Sequence, residues 1–377
     1  MSVLKPETAE QLAGLIKTHA SQKRSLSLLG NDTKFKKGGP ALASDISITT
    51  GGLDRVLEYE PNDVTISVEA GMKFSNLQAL LAKKGQMIAL DPPFASEATV
   101  GGIVAANSSG PMRRHYGTAR DLVIGMTFAT LEGTLVQSGG MVVKNVAGLD
   151  MGKLMIGSFG TLAAITSVNF RIHSLPEQTR TYLFAYPDLE HAIAKRDTVL
   201  RSVLQPIAID LLSPATAVRL AHKGHVVALR AGGSARVLER YDRDLAGAEL
   251  LSGEEDRAFW QGIREFTPEF LSRQPDGIVL RVSTTLSDVP KLLKTLTGPY
   301  VSRAANGVTY VYVSSWSGAS RIWKTAVQHR WPTVVEFASH EVRRDQELWH
   351  IPTEDAAHAS FVMMEKIKSL FDSGSLL

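Results

Sequence analysis

The stretch TVGGIVAANSSGPMRRHYG, residues 99–117, decides how the rest of the chain is interpreted. It carries almost no large side chain until it reaches Arg113, Arg114, His115 and Tyr116. Glycine has no Cβ, so it adopts positive φ readily and lets another molecule approach the backbone closely. A stretch of backbone with so few large side chains predicts a ligand that lies against it.

Two further segments have a similar composition: GNDTK at 30–34 and KNVAGLDMGKLMIGSFGTLAAIT at 144–166. Successive backbone N–H groups in glycine-rich turns form anion-binding hollows, and Asn, Ser and Thr add further hydrogen-bonding groups. The three segments together favour a phosphate or pyrophosphate ligand. For any single segment, a tight turn where strands cross is the alternative.

Other motifs for phosphate, metal or hydrolytic chemistry do not fit. The G-x-G-x-x-G pattern is absent, and GLDMGKL at 148–154 departs from a P-loop because its glycines are one position too close and Leu154 replaces Ser or Thr. HEVRR at 340–344 lacks the second His of a zinc helix, His222 and His225 flank a Lys-Gly turn, and no G-x-S-x-G elbow occurs. No metal site is predicted.

Composition limits the class of protein. A chain of 377 residues is too long for one ordinary core, so two domains are expected. The net charge of +3 is too small to indicate a nucleic-acid partner, and the absence of cysteine excludes disulfides, thiolate nucleophiles and thiolate-held iron–sulfur clusters in this chain. Neither a secretory signal nor a long apolar run is evident, which predicts a cytoplasmic protein.

The composition and the pattern of predicted strands and helices change near residue 177. The first part is rich in glycine and short strands, whereas strands and helices alternate afterwards, including a helix over 254–272. This alternation predicts a sheet covered by helices, of α+β or α/β type. A helix over 358–371 closes the chain, and it packs an apolar side on a core.

The run from residue 92 to 174 resembles the FAD-binding domain of the vanillyl-alcohol-oxidase and para-cresol-methylhydroxylase (VAO/PCMH) flavoproteins. Within that family it is most similar to the smaller FAD-binding subunits of bacterial glycolate oxidases. The motifs that carry the likeness are TVGGIVAANSSGP, RRHYGTARD at 113–121, VVKNVAGLDMGKLMIGSFGTL at 142–162, AIT at 164–166 and the loop GNDTK. The resemblance implies an α+β protein in which a two-subdomain FAD-binding domain (1–176) is followed by an α+β cap or substrate domain (177–345). A helical tail (346–377) would return to the FAD-binding domain.

The resemblance also implies where FAD lies. The pyrophosphate would lie toward 30–34 and 101–102, the isoalloxazine toward 105–116, and the adenine or ribose near Ile165. The cofactor-binding residues expected are Gly30, Asn31, Asp32, Thr33, Lys34, Pro92, Thr99, Gly101, Gly102, Ala105, Asn107, Gly110, Tyr116, Gly117 and Ile165. Small residues against one face of the flavin leave the other face open to substrate.

Two departures from the family pattern have consequences. Members that attach FAD covalently carry a His in the first loop, where Leu28, Leu29 and Asp32 stand here, so noncovalent FAD is expected. The family also tends to carry an Asn-Pro-Gly-Arg/Lys loop after F-D-P-x-G, whereas FDSGSLL occupies residues 371–377. The resemblance therefore implies either a truncated chain or a lost loop.

Three functions follow from the resemblance. The first is a glycolate oxidase or dehydrogenase subunit that oxidises a 2-hydroxy acid to a 2-oxo acid, with a larger FAD-binding subunit and an iron–sulfur subunit as partners and any membrane association supplied by those partners. The second is a self-sufficient hydroxy-acid or alcohol oxidase, and the third is a noncatalytic assembly subunit. No catalytic residue is assigned; the polar candidates are Arg113, Tyr116, Arg264, Arg281 and His340.

Overall fold

The computed structural model describes residues 3–39, 43–142, 149–346, 348 and 356–377. Residues 143–148 of the family-like stretch and residues 347 and 349–355 of the predicted tail lie outside the described residues. The elements before residue 175 are β1 (Val3–Leu4), α1 (Ala9–Ser21), β2 (Leu26–Leu29), β3 (Ile46–Thr49), β4 (Val56–Glu60), β5 (Thr65–Glu69), α2 (Phe74–Ala82), β6 (Gln86–Met87), α3 (Val100–Ala105), α4 (Arg113–Tyr116), α5 (Ala119–Leu122), β7 (Val123–Ala129), β8 (Leu135–Gly139), α6 (Met151–Met155), β9 (Ala164–Arg171) and β10 (His173–Ser174). The elements after it are β11 (Gln178–Tyr186), α7 (Leu189–Arg201), β12 (Ala208–Leu212), α8 (Pro214–Arg219), β13 (His225–Gly233), α9 (Ala235–Asp244), β14 (Glu249–Ser252), α10 (Gly253–Arg264), α11 (Phe266–Arg273), β15 (Ile278–Ser283), α12 (Val289–Lys294), β16 (Tyr300–Arg303), β17 (Val308–Val313), α13 (Trp316–Gln328), β18 (Thr333–Phe337), α14 (His340–Asp345) and α15 (Ala356–Phe371).

The first half of the chain contains two main sheets, as the two-subdomain interpretation requires. One has three parallel strands in the order β1-β3-β2, and the other has five antiparallel strands in the order β4-β5-β9-β7-β8. Helix α1 begins after Thr8, whose side chain accepts a hydrogen bond from Gln11 N. Its Leu12 and Ile16 lie one helical turn apart and are buried against the parallel sheet.

The second half forms one eight-stranded sheet, ordered β14-β11-β13-β12-β16-β17-β15-β18 and antiparallel throughout. Along β11, Tyr182 and Phe184 face one core and Leu183 faces the other, because successive strand side chains point to opposite faces. Helices α7, α9, α12 and α13 cover the first face, and α8, α10 and α11 cover the second. The antiparallel pairing places the fold in the α+β class.

The sequence predicts one helix over 254–272, whereas the structure has two helices that separate at Glu265. The Glu265 carboxylate accepts hydrogen bonds from Phe94 N at 2.9 Å and Ala95 N at 3.2 Å. The break therefore lies where the helix pair contacts the first half of the chain. A local helical pattern contains no sign of such a distant contact.

Helix α15 returns to the first half of the chain. Ile367 and Phe371 pack on the core of the five-stranded sheet, and Lys368 Nζ donates to Thr161 O at 2.9 Å. The boundaries predicted at residues 176 and 345 stay a prediction, although the two large sheets do lie on opposite sides of residue 176. Within the described ranges, no helix has both the length and the apolar character needed to cross a bilayer.

Candidate functional site

The three glycine-rich segments lie together. Gly30 is so close to Thr99 that a Cβ at Gly30 would stand 2.2 Å from Thr99 Oγ1. From the third segment, Phe159 N donates to Ala105 O at 2.9 Å and Gly157 N donates to Val104 O at 3.2 Å, which satisfies carbonyls at the end of α3. Segments that are far apart in the sequence therefore form one continuous surface.

Different structural constraints account for the glycines on this surface. A Cβ at Gly110 would lie 1.8 Å from Asp91 O, and one at Gly101 would lie 2.8 Å from Ala70 Cβ, so the protein itself excludes side chains there. At Gly102, a Cβ would meet only Thr99 Oγ1, at 3.1 Å. Backbone and side-chain packing excludes a Cβ at Gly110 and Gly101, whereas at Gly102 a Cβ would press only on the Thr99 hydroxyl.

A cavity of about 820 Å³ lies between the two halves of the chain, and we call it the junction cavity. Its volume is within the range of about 300–1,000 Å³ that is common for ligand pockets. The wall from the first half and α15 includes Lys34, Lys37, Asp91, Asn107, Ser108, Gly110, Arg113, Ser158 and Phe361. The wall from the second half includes Arg264, Arg281, Arg303, Tyr310, Glu336 and Phe337.

Unpaired polar atoms concentrate in the wall of the junction cavity. Asn107 Oδ1, Ser108 Oγ, Ser158 Oγ and Asp91 Oδ2 are buried, and none has a hydrogen-bond partner among the described residues. Buried polar groups are normally hydrogen-bonded, so such a cluster indicates a polar ligand. Asn107 also adopts φ of 45°, in the left-handed region that a non-glycine residue rarely occupies.

The junction cavity is rich in cations, and two of them have no hydrogen-bond or ion-pair partner among the described residues. Arg281 Nε lies 3.1 Å from Glu336 Oε1, and Lys37 Nζ lies 3.2 Å from the same oxygen. The side chains of Arg113 and Lys34 form no hydrogen bond or ion pair with any described residue. Unneutralised positive charge in a concave site favours an anionic ligand.

Burial and neighbouring charges set the ionisation of these groups. Burial, together with the repulsion of Lys37, lowers the pKa of Lys34 to about 8. Burial would raise the pKa of Glu336, but Lys37 and Arg281 reverse this and hold it below its usual value, so the carboxylate is ionised. Burial raises the pKa of Tyr310, which keeps its hydroxyl protonated as a hydrogen-bond donor.

The structure brings together six of the residues singled out from the sequence. Lys34, Asn107 and Gly110 of the cofactor set line the junction cavity, and so do the catalytic candidates Arg113, Arg264 and Arg281. The other cofactor candidates of the glycine-rich segments belong to the loop that begins at Gly30 or to α3 and its N-cap, and they do not line this cavity: Gly30, Asn31, Asp32, Thr33, Thr99, Gly101, Gly102 and Ala105. Asn31 is already engaged, since its Nδ2 donates to Glu97 O at 3.0 Å.

Other sequence candidates lie elsewhere. The Tyr116 ring packs edge-on against His173 at 5.0 Å between centroids, and neither Tyr116 nor Gly117 lines the junction cavity. Ile165 is buried in β9 within the core of the five-stranded sheet. His340 is exposed at the start of α14. The structure gives these residues no contact with the junction cavity.

A second cavity, of about 1,180 Å³, lies on another side of the boundary between the halves, and we call it the lateral cleft. Pro92 lines the lateral cleft, together with Phe74, Gln78, Arg180, Arg230, Arg257 and Gln261. Asp91 and Arg264 line both cavities. We take the junction cavity as the candidate functional site because residues of all three glycine-rich segments and the unpaired polar atoms meet there.

Sequence reasoning missed several residues of the junction cavity, including Lys37, Arg303, Tyr310 and Glu336. Glu336 offered a signal, because it is the one charged residue in the strand TVVEF. The pairing of Arg303 with Asp210 offered none, since the partners lie on different strands, β16 and β12. Within the described part of the chain, His, Asp and Glu side chains form no group of three that could hold a metal ion.

Comparison with known proteins agrees with the geometry. Residues 2–139 match the family model of an FAD binding domain. Glycolate oxidase subunit GlcE of Escherichia coli (strain K12) is 30% identical over 274 residues, which cover 72% of each protein. D-lactate dehydrogenase of Anaerostipes hadrus is 28% identical over 205 residues, which are 54% of this chain but 43% of that enzyme.

Solved structures show the same fold at low sequence identity. A 4-ethylphenol oxidase from Gulosibacter chungangensis superposes with a TM-score of 0.75 at 12% identity, covering 100% of this chain and 87% of the oxidase. An alkyldihydroxyacetonephosphate synthase superposes with a TM-score of 0.74 at 16% identity, covering 99% of this chain and 75% of that protein. The architecture is therefore that of the VAO/PCMH flavoproteins.

The fold and the site define an FAD-binding oxidoreductase. The chain belongs to the family of FAD-linked oxidoreductases that includes the glycolate oxidase subunit GlcE. Its cofactor is FAD. The unpaired Asn107, Ser108 and Ser158 side chains and the open backbone at Gly102 are suited to a large polar cofactor.

Proposed function

We propose that the chain oxidises a small 2-hydroxy acid, glycolate in the first instance, to the corresponding 2-oxo acid, as the FAD-binding subunit of a larger complex. The observation that carries the proposal is the Arg113 guanidinium in the wall of the junction cavity, for which the described residues offer no hydrogen-bond or ion-pair partner. A guanidinium binds a carboxylate through two parallel hydrogen bonds, which gives both affinity and a fixed orientation. The similarity to GlcE supports the choice of substrate class.

The remaining walls supply complementary groups. In this proposal Arg113 binds the substrate carboxylate, the protonated Tyr310 donates to a substrate oxygen, and the unpaired Asp91 Oδ2 accepts the hydrogen of the hydroxyl group. Bound FAD supplies the acceptor for the hydride of the carbon that bears the hydroxyl. Asn107, Ser108 and Ser158 would hold the flavin from the side of the first half. Lys34 and the loop that begins at Gly30 would hold the pyrophosphate.

The partners in this proposal are a larger FAD-binding subunit and an iron–sulfur subunit. A chain without cysteine holds no thiolate-bound cluster, so its electrons pass to another protein if clusters take part. The likeness to glycolate oxidase subunits supports a multi-subunit assembly. We also propose that FAD is noncovalent, so that acid precipitation releases all flavin into the supernatant.

The experiment that tests the activity is an anaerobic visible spectrum of the purified chain during addition of glycolate, D-lactate or glycolamide. Glycolamide keeps the hydroxyl group but lacks the negative charge, so it separates carboxylate recognition from alcohol oxidation. We expect glycolate to bleach the flavin band near roughly 450 nm and glycolamide to leave it unchanged. Equal bleaching by both would contradict the assignment of Arg113 and favour an alcohol oxidase.

The same preparation tests the complex. We expect slow reduction by glycolate in the isolated chain and at least a tenfold faster transfer to an artificial quinone, on the order of 1.4 kcal/mol, once both partner subunits are added. Full turnover by the chain alone would favour the self-sufficient oxidase. A protein that cannot be reconstituted with FAD would favour the assembly subunit and would refute the proposal.

A further inference from the structure

Arg343 joins the second half of the chain to the loop that begins at Gly30. It lies on α14, is 5% exposed, and lines neither the junction cavity nor the lateral cleft. Its Nη1 donates to Phe35 O at 2.8 Å, its Nε donates to Gly39 O at 3.0 Å and to Gly38 O at 3.2 Å, and its Nη2 also donates to Gly39 O. One guanidinium thus satisfies three carbonyls of a single loop.

These carbonyls belong to residues 30–39, which we call the GNDTK loop. The start of the loop lies against Thr99, and its Lys34 and Lys37 line the junction cavity. Its far end has no regular secondary structure of its own apart from a single bridge between Lys37 and Phe337. The loop therefore depends on other parts of the molecule for its conformation.

Further contacts fix the same end of the loop to the second half. Lys36 Nζ donates to Pro275 O at 2.6 Å, and Ala338 N donates to Lys36 O at 3.4 Å. Lys37 forms its ion pair with Glu336. Arg343 differs from these contacts because it is almost completely buried and has no carboxylate partner among the described residues. Within the described ranges, the hydrogen bonds of its guanidinium all go to carbonyls of this loop.

We infer that Arg343 is a positioning residue for FAD: by fixing the far end of the GNDTK loop, it keeps the near end in the conformation that binds the pyrophosphate. The inference rests on the proposed placement of the pyrophosphate at residues 30–34. Without Arg343, binding of FAD would have to order the loop, and that cost would appear as weaker affinity. The residue acts through the loop and touches neither flavin nor substrate in this inference.

The test is a titration of the 377-residue apoprotein with FAD, in which the quenching of flavin fluorescence reports binding. Because FAD would have to order the released loop on binding, we expect R343A to raise the Kd for FAD by about 10-fold to 100-fold. R343K keeps the positive charge but lacks the planar guanidinium, and we expect it to bind FAD more weakly than the unaltered protein as well. Arg344 is the matched control, since this neighbour on the same helix is exposed and pairs with Asp345; R344A should bind FAD like the unaltered protein.

Amide hydrogen exchange separates a local effect from general unfolding. In R343A we expect faster exchange in residues 31–39 and unchanged exchange in the buried strand β5. The inference is wrong if R343A and R343K both bind FAD with normal affinity, or if exchange in the loop does not change. If R343A does not fold, the same measurements on R343K decide the question.

The placement of FAD is checked separately with G102V. If G102V loses FAD whereas both Arg343 variants retain it, the inference about Arg343 fails and the proposed placement stands. If G102V retains FAD, the placement itself fails. Neither readout requires turnover of a hydroxy acid.

Discussion

Arg264 Nη1 lies 2.9 Å from Asp91 Oδ1, and this ion pair joins the two halves of the chain where the junction cavity meets the lateral cleft. The Asp91 side chain is 5% exposed, and Arg264 is 26% exposed. Asp91 also adopts φ of 49°, and its carbonyl oxygen occupies the space where a Cβ of Gly110 would stand. The pair therefore holds a strained residue at the boundary between the two cavities.

Removing Arg264 should destabilise the protein by more than the value of one surface ion pair. R264M leaves the Asp91 carboxylate buried without its partner, and we expect a loss on the order of 3 kcal/mol, at the low end for buried pairs because Arg264 is partly exposed. The double variant D91N/R264M should lose less than the sum of the two single variants. Urea denaturation of all four proteins measures this coupling, and strictly additive losses would contradict it.

Arg113 should determine affinity for the anionic substrate. We expect R113A to raise the KM for glycolate by about 10-fold to 100-fold, the value of a lost charge-assisted hydrogen bond, while FAD content stays normal. Arg257 provides the control, because it is exposed in the lateral cleft and does not line the junction cavity. Steady-state kinetics of R113A and R257A give the comparison, and an unchanged KM in R113A would remove the main support for the proposed function.

Substitutions at two glycines of the stretch 99–117 should have different effects, one on FAD retention and the other on stability. Gly102→Val should abolish retention of FAD with little change in the Tm of the apoprotein, since a Cβ at Gly102 meets only Thr99 Oγ1. Gly110→Ala should destabilise the fold by about 3 kcal/mol or more, because its Cβ would stand 1.8 Å from Asp91 O. Thermal melting and flavin absorbance of each purified variant measure both effects. A G102V protein with full yellow colour would contradict the placement of the cofactor.

Lys34 should make FAD binding dependent on pH. Burial and Lys37 lower the pKa of Lys34 to about 8, whereas Glu336 and Glu265 act in the opposite direction. The protonated amine attracts the pyrophosphate, so the Kd for FAD should be constant below pH 8 and rise above it as the charge is lost. Lys34→Met should bind more weakly at pH 7 and show a smaller rise. Fluorescence titrations between pH 6.5 and 9.5 test this. An identical pH profile in the variant would show that Lys34 is not the group whose loss of charge weakens FAD binding.

The sequence predicted the parts of the site that depend on backbone shape. Gly30 and Thr99 are 69 positions apart, yet both belong to glycine-rich segments whose composition indicated a common ligand. Arg113 was also recognisable, because it ends the bare stretch with a positive charge. Local composition carried this information, so no knowledge of distant contacts was needed.

The wall from the second half was harder to predict. Arg264 and Arg281 were among the candidates, but so was His340, which is exposed on α14 and lies outside the junction cavity. Strand register decides which side chains of β15, β17 and β18 share a face, and register follows from pairings between strands rather than from any one strand. Tyr310 is an example: it shares one face of β17 with Tyr312, two residues further on, yet only Tyr310 of the two lines the junction cavity.

The hydrogen bond between Arg343 and Gly39 also bears on the order in which the protein acquires its parts during synthesis. The two residues are 304 positions apart, so the ribosome completes the GNDTK loop long before its anchor exists. Strand β18, which carries Glu336 and precedes Arg343, is likewise synthesised long after the loop. A growing chain that has emerged only as far as residue 300 therefore already displays every glycine-rich segment, and Pro275 for Lys36, while its GNDTK loop still lacks Glu336 and Arg343.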